Sequence, residues 1–280
     1  MSAHTSASSV RPTPTRPSSR HSGGDSSEEA AVLVVGLGEV GGPLLELLRG
    51  PLGAKGRDVE AAAFHGVQIL HICFPFSSEF VSLVCGYVKL YEPDVVVVNS
   101  TVSPGTTRAI QETSGVAAVY SPVRGKHTRM KDELTRYRKF VAGTSNEAVA
   151  RVESHFAAAG MTTQRISTFE TLELAKLLET SYLGVLIAWA QEMDRFASAA
   201  GASYEEASTF FDEIAFLPPV HFQPGFIGGH CVMPNLELLE RVRSSPIVDA
   251  IRASNASRAQ EWARLGKSTD ERFAPLERNR

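Results

Sequence analysis

The feature that most constrains this chain is a short strand-forming run followed at once by a glycine motif and a helical stretch. Residues 30–35 read Ala-Ala-Val-Leu-Val-Val, a run too short for a helix and rich in β-branched residues. Gly36-Leu37-Gly38-Glu39-Val40-Gly41 follows, and residues 43–48 then have the apolar spacing of a helix. In such a motif the first glycine makes a tight turn, the second lets a pyrophosphate approach the backbone, and the third lets helix pack on strand. Residues 36–41 are therefore predicted to bind a dinucleotide at a helix N-terminus.

Further apolar runs of strand length alternate with amphipathic stretches in the first half of the chain. The runs cover residues 67–74, 95–99, 116–120 and 140–143, and the amphipathic stretches cover 79–91, 106–113 and 146–159. Strands that alternate with helices predict an α/β fold, here a Rossmann-type doubly wound parallel sheet.

The pattern changes after about residue 165, where helical stretches replace the alternation. These stretches cover residues 170–200, 204–215 and 235–265, with a loop rich in Gly, Pro and aromatic residues at 218–234. We therefore expect a disordered tail, a dinucleotide-binding Rossmann domain, a helical dimerisation and catalytic domain, and a flexible C-terminal tail. Their expected ranges are 1–29, 30–165, 166–266 and 267–280.

Composition excludes several classes of function. The 280 residues carry a net charge of −3, so no basic field indicates nucleic acid or an anionic membrane as partner. No apolar run approaches the roughly 20 residues that span a bilayer. Cys73, Cys85 and Cys231 form no C-x-x-C pair, which predicts neither a disulfide framework nor a metal site. The expected setting is the reducing cytoplasm.

The carboxylate that usually binds the adenosine ribose is expected about 20 residues beyond the glycine motif. Asp58 has that spacing, but residues 51–56 do not have the composition of a strand, so the second strand–helix unit is predicted to be shortened or lost. A solvated loop acid is the alternative interpretation of Asp58, and the choice between NAD and NADP stays open.

Two residues of the helical half have side chains suited to catalysis. Cys231 ends Gly228-Gly229-His230-Cys231, and a thiol beside a His in a glycine-rich loop can act as a nucleophile. Lys176 lies on an otherwise apolar helix and can stabilise a developing oxyanion. The alternatives are an inert buried Cys and a Lys that extends from a buried face to solvent. Cys73, in an apolar strand, and Cys85, on a helix, are expected to be inert.

Segments along most of the chain resemble the nucleotide-sugar 6-dehydrogenases, the family of UDP-glucose, UDP-N-acetylglucosamine and GDP-mannose dehydrogenases. The segments occur in that family's order and are Val35 to Pro43, Ser100-Thr101-Val102-Ser103-Pro104-Gly105-Thr106-Thr107, Ser121-Pro122, Glu173-Leu174-Ala175-Lys176-Leu177, Gln191-Glu192, and Pro224-Gly225 to Gly228-Gly229-His230-Cys231.

The resemblance implies a four-electron oxidation of an alcohol to a carboxylate with NAD as cofactor. Cys231 would attack an aldehyde to give a thiohemiacetal and then a thioester, and Lys176 would stabilise oxyanions. Thr101 would lie beside the nicotinamide or the reacting water, with Pro75 also at the cofactor. The long helix that contains Trp189 resembles the family's dimer helix and predicts a homodimer; Leu183, Leu186, Ile187 and Ala190 give it more than one apolar face.

The chain also departs from the family pattern. Val123 and His127 stand where the family has Glu, Thr180 where it has Asn, and Asn235 where it has Asp. The third, nucleotide-sugar-binding domain of the family has no counterpart, so a truncated form is expected. The residues expected to contact substrate are Arg124, His127, Thr180, His230 and Asn235.

These observations favour an NAD(P)-dependent oxidoreductase that acts on a small polar or anionic alcohol or aldehyde, a sugar nucleotide or a smaller relative. The altered acids favour an alternative, a catalytically impaired NAD(P)-binding regulatory protein. A second alternative is a two-electron β-hydroxyacid-type dehydrogenase, in which Lys176 works and Cys231 is incidental.

Overall fold

A computed structural model describes residues 28–58, 63–212, 214, 217, 222–229 and 231–268. The predicted tail up to residue 27, the end of the chain beyond 268, and His230 lie outside the described residues. Two compact units are present, and the division falls after Leu174.

In the described residues of the first unit there are nine short strands. They are β1 Glu28–Glu29, β2 Val32–Val35, β3 Lys55–Arg57, β4 Phe64–His65, β5 Ile69–Ile72, β6 Val95–Val98, β7 Ala117–Tyr120, β8 Lys139–Gly143 and β9 Thr163–Arg165. The helices of this unit are α1 Gly41–Leu52, α2 Phe80–Tyr91, α3 Thr106–Ser114, α4 Met130–Arg136 and α5 Asn146–Ala158.

Seven of these strands form one sheet in the order β3-β2-β5-β6-β7-β8-β9. The central strands are apolar runs whose residues are all buried, because helices cover both faces of the sheet. One apolar cluster lies between the sheet and α2, and a second lies on the opposite face with α1 and α5. The predicted Rossmann-type α/β fold is confirmed.

Two details of the sheet differ from the sequence prediction. β8 pairs with β7 in the antiparallel sense, with Tyr120 opposite Ala142, so the sheet is not wholly parallel. β3 is a strand where none was predicted, and it pairs in parallel with β2 at one edge of the sheet. A separate strand pair, β1 with β4, contains Glu28 and Glu29. The sequence prediction had placed these two residues in the disordered tail and had begun the ordered chain at Ala30.

The second unit is helical. Its elements are α6 Phe169–Ala199, which begins before the division, α7 Tyr204–Ser208, α8 Val232–Glu240 and α9 Pro246–Arg264. The predicted helix 204–215 is wrong beyond Ser208, where a 3₁₀ turn takes over. The predicted helix 235–265 is two helices, since Pro246 lacks the N–H that a continuing helix needs and instead begins α9.

Candidate functional site

The glycine motif forms the turn between β2 and α1. Gly36 has φ +87°, and a Cβ there would lie 2.8 Å from the Phe74 nitrogen. A Cβ on Gly41 would lie 1.8 Å from the Gly36 oxygen, so α1 can begin only with glycine at this position. A Cβ on Gly38 would meet nothing within 4 Å, and Gly38 is exposed. The loop therefore leaves open space beside Gly38, as a cradle for a pyrophosphate requires.

The ends of β5 and β6 meet beside this loop. Ser100 Oγ donates to the Phe74 oxygen at 2.7 Å and so joins the two segments that carry Pro75 and Thr101. Pro75 is exposed and Thr101 is half-buried. In doubly wound sheets, ligands bind where the strand order reverses, at the carboxyl ends of the strands. Here that point lies between β2 and β5, since β3 lies on the other side of β2.

Asp58 follows β3 directly and is exposed at the same edge of the sheet. The Gly36 N–H donates to the Arg57 oxygen at 2.9 Å, so the glycine turn and the end of β3 are in contact. The prediction that residues 51–56 contain no strand was therefore wrong for Lys55 and Gly56, which belong to β3. A second strand–helix unit that is shortened, the other form of that prediction, agrees with this three-residue strand. The ribose role of Asp58 stays a prediction, now with the expected acid at the end of a strand next to β2.

Glu173 is a residue that the motif contained but that received no role. Its side chain is fully buried and accepts from the Gly105 N–H at 2.6 Å, the Thr107 N–H at 2.8 Å and Thr107 Oγ1 at 2.7 Å. Burial raises the pKa of Glu173, whereas the hydrogen bonds from Thr107 and Gly105 lower it. The Glu173 carboxyl group thus accepts hydrogen bonds from the N–H groups at the N-terminus of α3. The N-cap residue of that helix makes no side-chain capping bond of its own. The segment after Thr101 is fixed to the start of α6 through this contact.

A buried polar network missed from the sequence lies at the ends of β6 and β7. Lys139 Nζ donates to the Ser121 oxygen at 2.7 Å, the Asn99 Oδ1 at 3.2 Å and the Pro122 oxygen at 3.5 Å. Asn99 Nδ2 lies 3.1 Å from His71 Nδ1, and His71 Nε2 lies 2.9 Å from His155 Nε2. Burial lowers the pKa of Lys139 to about 7. Burial likewise lowers the pKa of both His71 and His155, to about 4 for His155. The network joins the strand ends that precede Thr101 and Val123.

We expect Lys139 to make the stability of the chain rise with pH above neutrality. Its pKa is lowered from 10.5 to about 7, so in this interval the unfolded chain binds more protons than the folded chain. Burial raises the pKa of Cys73 from 9.0 to about 12, which acts in the opposite sense above pH 9. The free energy of unfolding should therefore rise between pH 7 and 9, by at most about 1.4 kcal/mol per pH unit. Denaturant titrations at these pH values measure it, and Lys139→Met should flatten the slope. An equal slope in Lys139→Met would contradict the assignment.

The loop after β7 carries Arg124 and His127, two of the residues that were expected to contact substrate. Arg124 Nη2 donates to the Arg138 oxygen at 2.7 Å, and its guanidinium lies 4.6 Å from the centre of the Phe140 ring. Both contacts fix Arg124 to its own unit. Val123 is buried, so an apolar side chain takes the place of the family's acid. The side chain of His127 lies outside the described residues.

In the helical unit Cys231 immediately precedes α8, at its N-cap position. The free N–H groups and the dipole at a helix N-terminus favour a thiolate. α8 packs against α6 here, since a Cβ on Gly184 would lie 2.9 Å from Val232 Cγ1. Lys176 is on the same α6, with its side chain 14% exposed and paired with Glu179 Oε2 at 3.0 Å. The unit thus brings the helix of Lys176 against the start of the helix of Cys231.

The remaining described residues that were expected to contact substrate are buried. Thr180 is buried and its hydroxyl donates to the Lys176 oxygen at 3.1 Å, within α6. Asn235 is buried one turn after Cys231, and its N–H donates to the Cys231 oxygen at 3.3 Å. These hydrogen bonds do not test contact with a substrate, so the substrate-binding roles of Thr180 and Asn235 stay predictions. His230 lies outside the described residues.

The two cysteines of the first unit have the environments expected of unreactive thiols. Burial raises the pKa of Cys73 to about 12 and also raises the pKa of Cys85. In the described part of the chain, no group of three or more potential ligands could hold a metal ion. Among the described helices, none is long and apolar enough to cross a membrane.

The sheet order and the glycine turn define a Rossmann-type α/β fold. Solved structures with this fold include the UDP-D-ManNAc dehydrogenase from Pyrococcus horikoshii, with a TM-score of 0.74 and 19% identity over 84% of this chain and 70% of that one. A UDP-glucose dehydrogenase from Pyrobaculum islandicum superposes with a TM-score of 0.68 at 16% identity, covering 86% of this chain and 72% of that one.

Residues 170–257 match the central domain of the UDP-glucose/GDP-mannose dehydrogenase family. The UDP-N-acetyl-D-mannosamine dehydrogenase of Methanococcus maripaludis (strain C7) is 24% identical over 229 residues, which are 76% of this chain and 53% of that protein. The UDP-N-acetyl-D-glucosamine 6-dehydrogenase of Pseudomonas aeruginosa is 28% identical over 161 residues, 51% of this chain and 36% of that protein. The predicted resemblance to the nucleotide-sugar dehydrogenase family is confirmed, and the family match covers residues 170–257. It spans about half of the length of the curated relatives it matches.

Proposed function

We propose that this chain is an NAD-dependent oxidoreductase that oxidises a polar alcohol, most simply the primary alcohol of a nucleotide sugar, to a carboxylate through Cys231. The observation that carries the proposal is that the chain has both an open glycine turn, in the first unit, and a thiol at a helix N-terminus, in the second. Space beside Gly38 fits a pyrophosphate, and Cys231 immediately precedes α8. The matched relatives are named as dehydrogenases of UDP-N-acetylmannosamine and UDP-N-acetylglucosamine, which supports a nucleotide sugar as the substrate class.

The residues of the first unit fit the cofactor. The backbone of residues 36–41 would hold the pyrophosphate at the N-terminus of α1, and Asp58 would accept hydrogen bonds from the adenosine ribose. A carboxylate at this position favours NAD over NADP, whose 2′-phosphate it would repel. Pro75 and Thr101 would flank the nicotinamide at the ends of β5 and β6. When bound, the cofactor accepts the hydride in each of the two oxidation steps.

The residues of the second unit would perform the covalent chemistry. The Cys231 thiolate attacks the carbonyl carbon of the aldehyde, and the Lys176 ammonium stabilises the oxyanion that forms. Hydride loss from the thiohemiacetal leaves a thioester on Cys231, which water cleaves to the carboxylate and the free thiol. Asn235 lies one turn after Cys231 on α8 and would orient that water by hydrogen bonding. Its amide cannot take a proton from the water, so it would not act as a general base.

The direct test measures cofactor reduction with UDP-N-acetylmannosamine, UDP-N-acetylglucosamine and UDP-glucose. We expect two molecules of reduced cofactor per molecule of uronate formed, with mass spectrometry identifying the acid. Thiol labelling adds a second observable: Cys231 should react with iodoacetamide before Cys73 and Cys85 in the folded protein. Absence of NAD reduction with every polar alcohol tested, together with no measurable NAD binding, would overturn the proposal.

A two-electron β-hydroxyacid-type dehydrogenase is the second candidate, and one observation favours it. The Mycobacterium tuberculosis 3-hydroxyisobutyrate dehydrogenase superposes with a TM-score of 0.60 at 15% identity, and the match covers 94% of that chain and 85% of this one. In this case Lys176 would act at the alcohol and Cys231 would be incidental. One molecule of reduced cofactor per product, with an aldehyde or ketone as product, would identify it.

We expect the chain to form a homodimer through an apolar stripe on α6. Four large side chains lie at heptad-like spacing along one face of α6, and each is at least half exposed. They are Leu178 at 50%, Tyr182 at 55%, Trp189 at 54% and Phe196 at 67%. The apolar faces predicted around Leu183 and Leu186 were partly wrong, because Ile187 and Ala190 are buried within the chain's own helical unit. An exposed stripe of this size is typical of an association surface. The proposal also includes a cytoplasmic setting, because none of the three cysteines forms a disulfide.

A charge placed in the stripe tests the dimer. Trp189→Glu should weaken self-association by about 100-fold or more, because it removes a large aromatic anchor and buries a carboxylate in the contact. Light scattering across micromolar concentrations should then report a monomer. Ser198→Glu, at an exposed position of α6 outside the stripe, is the control and should stay dimeric. A monomeric wild-type chain would contradict the prediction.

A further inference from the structure

The loop that leads to Cys231 is held by two buried amide side chains, Gln191 on α6 and Asn255 on α9. Gln191 is fully buried and Asn255 is 4% exposed. Both contact the backbone of the segment 225–227, and all of these residues belong to the helical unit. Neither amide has a part in the chemistry proposed above.

Asn255 binds both polar groups of one peptide residue in the loop. Its Oδ1 accepts from the Ile227 N–H at 2.7 Å, and its Nδ2 donates to the Ile227 oxygen at 3.1 Å. The pair has the form of one rung of a β-ladder made by a side chain. Because Ile227 is itself fully buried, water cannot replace either bond.

Gln191 fixes the orientation of the Asn255 amide. Its Nε2 donates to the Gly225 oxygen at 2.6 Å and to Asn255 Oδ1 at 3.3 Å. Its Oε1 accepts from Ser254 Oγ at 2.9 Å, and the Gly225 oxygen, which can only accept, requires the nitrogen of the Gln191 amide to face the loop. With Gln191 as donor, Asn255 Oδ1 must be the atom that faces the Ile227 N–H.

The chain between this contact and the thiol is short. Only residues 228–230 separate Ile227 from Cys231, and Gly229 has φ +75°. Gly228 and Gly229 have no side chains that could hold this part of the connection, so the position of these two residues depends on the contacts on either side of them. One end is the clamp on Ile227, and the other is α8, whose Val232 packs on α6 at Gly184.

We propose that Asn255, oriented by Gln191, is a positioning residue that holds the glycine loop so that the Cys231 thiol faces the substrate at the N-terminus of α8. The inference rests on the proposed function of Cys231. Loss of the clamp releases the loop at Ile227, and the thiol then samples orientations in which it neither reaches the aldehyde carbon nor benefits from the helix N-terminus. The effect falls on the covalent step and not on cofactor binding, whose residues lie in the other unit.

The test compares Asn255→Ala with a control that destabilises the same helix without touching the loop backbone. Val248→Ala is that control, because Val248 is buried on α9 in the same apolar cluster as Ile227 and has no polar side-chain atoms. Three quantities are measured on the full chain: the melting temperature, the rate of Cys231 alkylation by iodoacetamide, and kcat and KM for oxidation of the aldehyde. We expect Asn255→Ala to lower both the alkylation rate and kcat by about tenfold or more, with an unchanged Kd for NAD. Val248→Ala should lower the melting temperature and leave both rates per folded molecule near the wild-type values.

Asn255→Asp gives a pH readout that a purely structural role would not produce. An ionised Asp at this position still accepts from the Ile227 N–H but repels the Ile227 oxygen, whereas a protonated Asp can donate to that oxygen. The alkylation rate of Cys231 in Asn255→Asp, divided by the wild-type rate at each pH, should therefore rise as the pH falls. Asn255→Asp also keeps the proposal testable if Asn255→Ala fails to fold.

The outcomes separate this inference from the proposed function. If Cys231 is unreactive and dispensable in the wild-type chain, the proposed function fails. If Cys231 is reactive and essential but Asn255→Ala and Asn255→Asp match the wild-type rates, the positioning role is wrong and the proposed function stands. Equal rate losses in Asn255→Ala and Val248→Ala at matched melting temperature would also overturn the positioning role.

Discussion

Replacing Cys231 with Ala is expected to lower the rate of carboxylate formation by about 10⁴-fold, because no thioester can form without the thiol. The measurement is uronate production by mass spectrometry under conditions in which the wild-type chain turns over many times. Cys231→Ser should block acid formation equally, while exchange between alcohol and aldehyde continues, since that step needs only the cofactor and the oxyanion stabiliser. The alcohol–aldehyde half-reaction thus serves as an internal measure of folding and cofactor binding.

Cys85→Ala is the matched control for this experiment. Cys85 is a half-buried thiol on α2 with a raised pKa, and its loss should leave every rate unchanged. Full activity of Cys231→Ala would show that the thioester route is wrong. The two-electron dehydrogenase that depends on Lys176 would then be the better interpretation, and Lys176→Met would become the decisive variant.

Gly38→Val is expected to abolish NAD binding while the chain still folds. A Cβ at this position meets no protein atom within 4 Å, so the free chain accommodates it. The same side chain occupies the space that a pyrophosphate would take against the backbone of residues 36–41. We expect the affinity for NAD to fall by at least about 100-fold, or about 2.7 kcal/mol, in isothermal titration calorimetry.

Two further glycine variants give this experiment its contrast. Gly50→Val, at an open position on α1, should bind NAD as the wild-type chain does. Gly41→Ala should unfold the turn itself, because its Cβ would lie 1.8 Å from the Gly36 oxygen. If Gly38→Val bound NAD with wild-type affinity, the cofactor would not lie over this loop.

The strands that could be predicted from the sequence are those covered by helices on both faces of the sheet. β2, β5 and β6 are short β-branched or aliphatic runs, and a run of this kind has few alternatives to a buried parallel strand. β3 was missed because its residues, Lys55, Gly56 and Arg57, are not apolar. A Cβ on Gly56 would lie 2.5 Å from Leu45 Cδ2, so glycine lets Leu45 pack directly over this strand. Arg57 is buried because its guanidinium stacks on the rings of Tyr87 and Tyr91, a contact between distant residues that hydropathy cannot indicate.

The residues of the candidate site likewise fall into those that could be predicted from the sequence and those that could not. Motifs with a local cause, such as the glycine turn and the thiol before α8, could be located from spacing alone. Glu173, Lys139 and Asn255 could not, because each acts on backbone groups that are far away in the sequence. Asn255 lies 28 positions from the residue it clamps, and Lys139 lies 40 positions from Asn99. A buried polar side chain within an otherwise amphipathic helix or at the start of an apolar strand is the signal that could have drawn attention to them.

The reversed direction of β8 has a consequence for where tolerance to mutation should be lowest. In β5, β6 and β7 the residues that face the ligand edge follow the strand, so a saturation mutagenesis map should show its most sensitive positions just after each strand ends. β8 runs the other way, and its first residue, Lys139, is the one that reaches the Ser121 oxygen at that edge. In this strand the most sensitive positions should be those that open the element, and the exposed Thr144 just after it should accept substitutions.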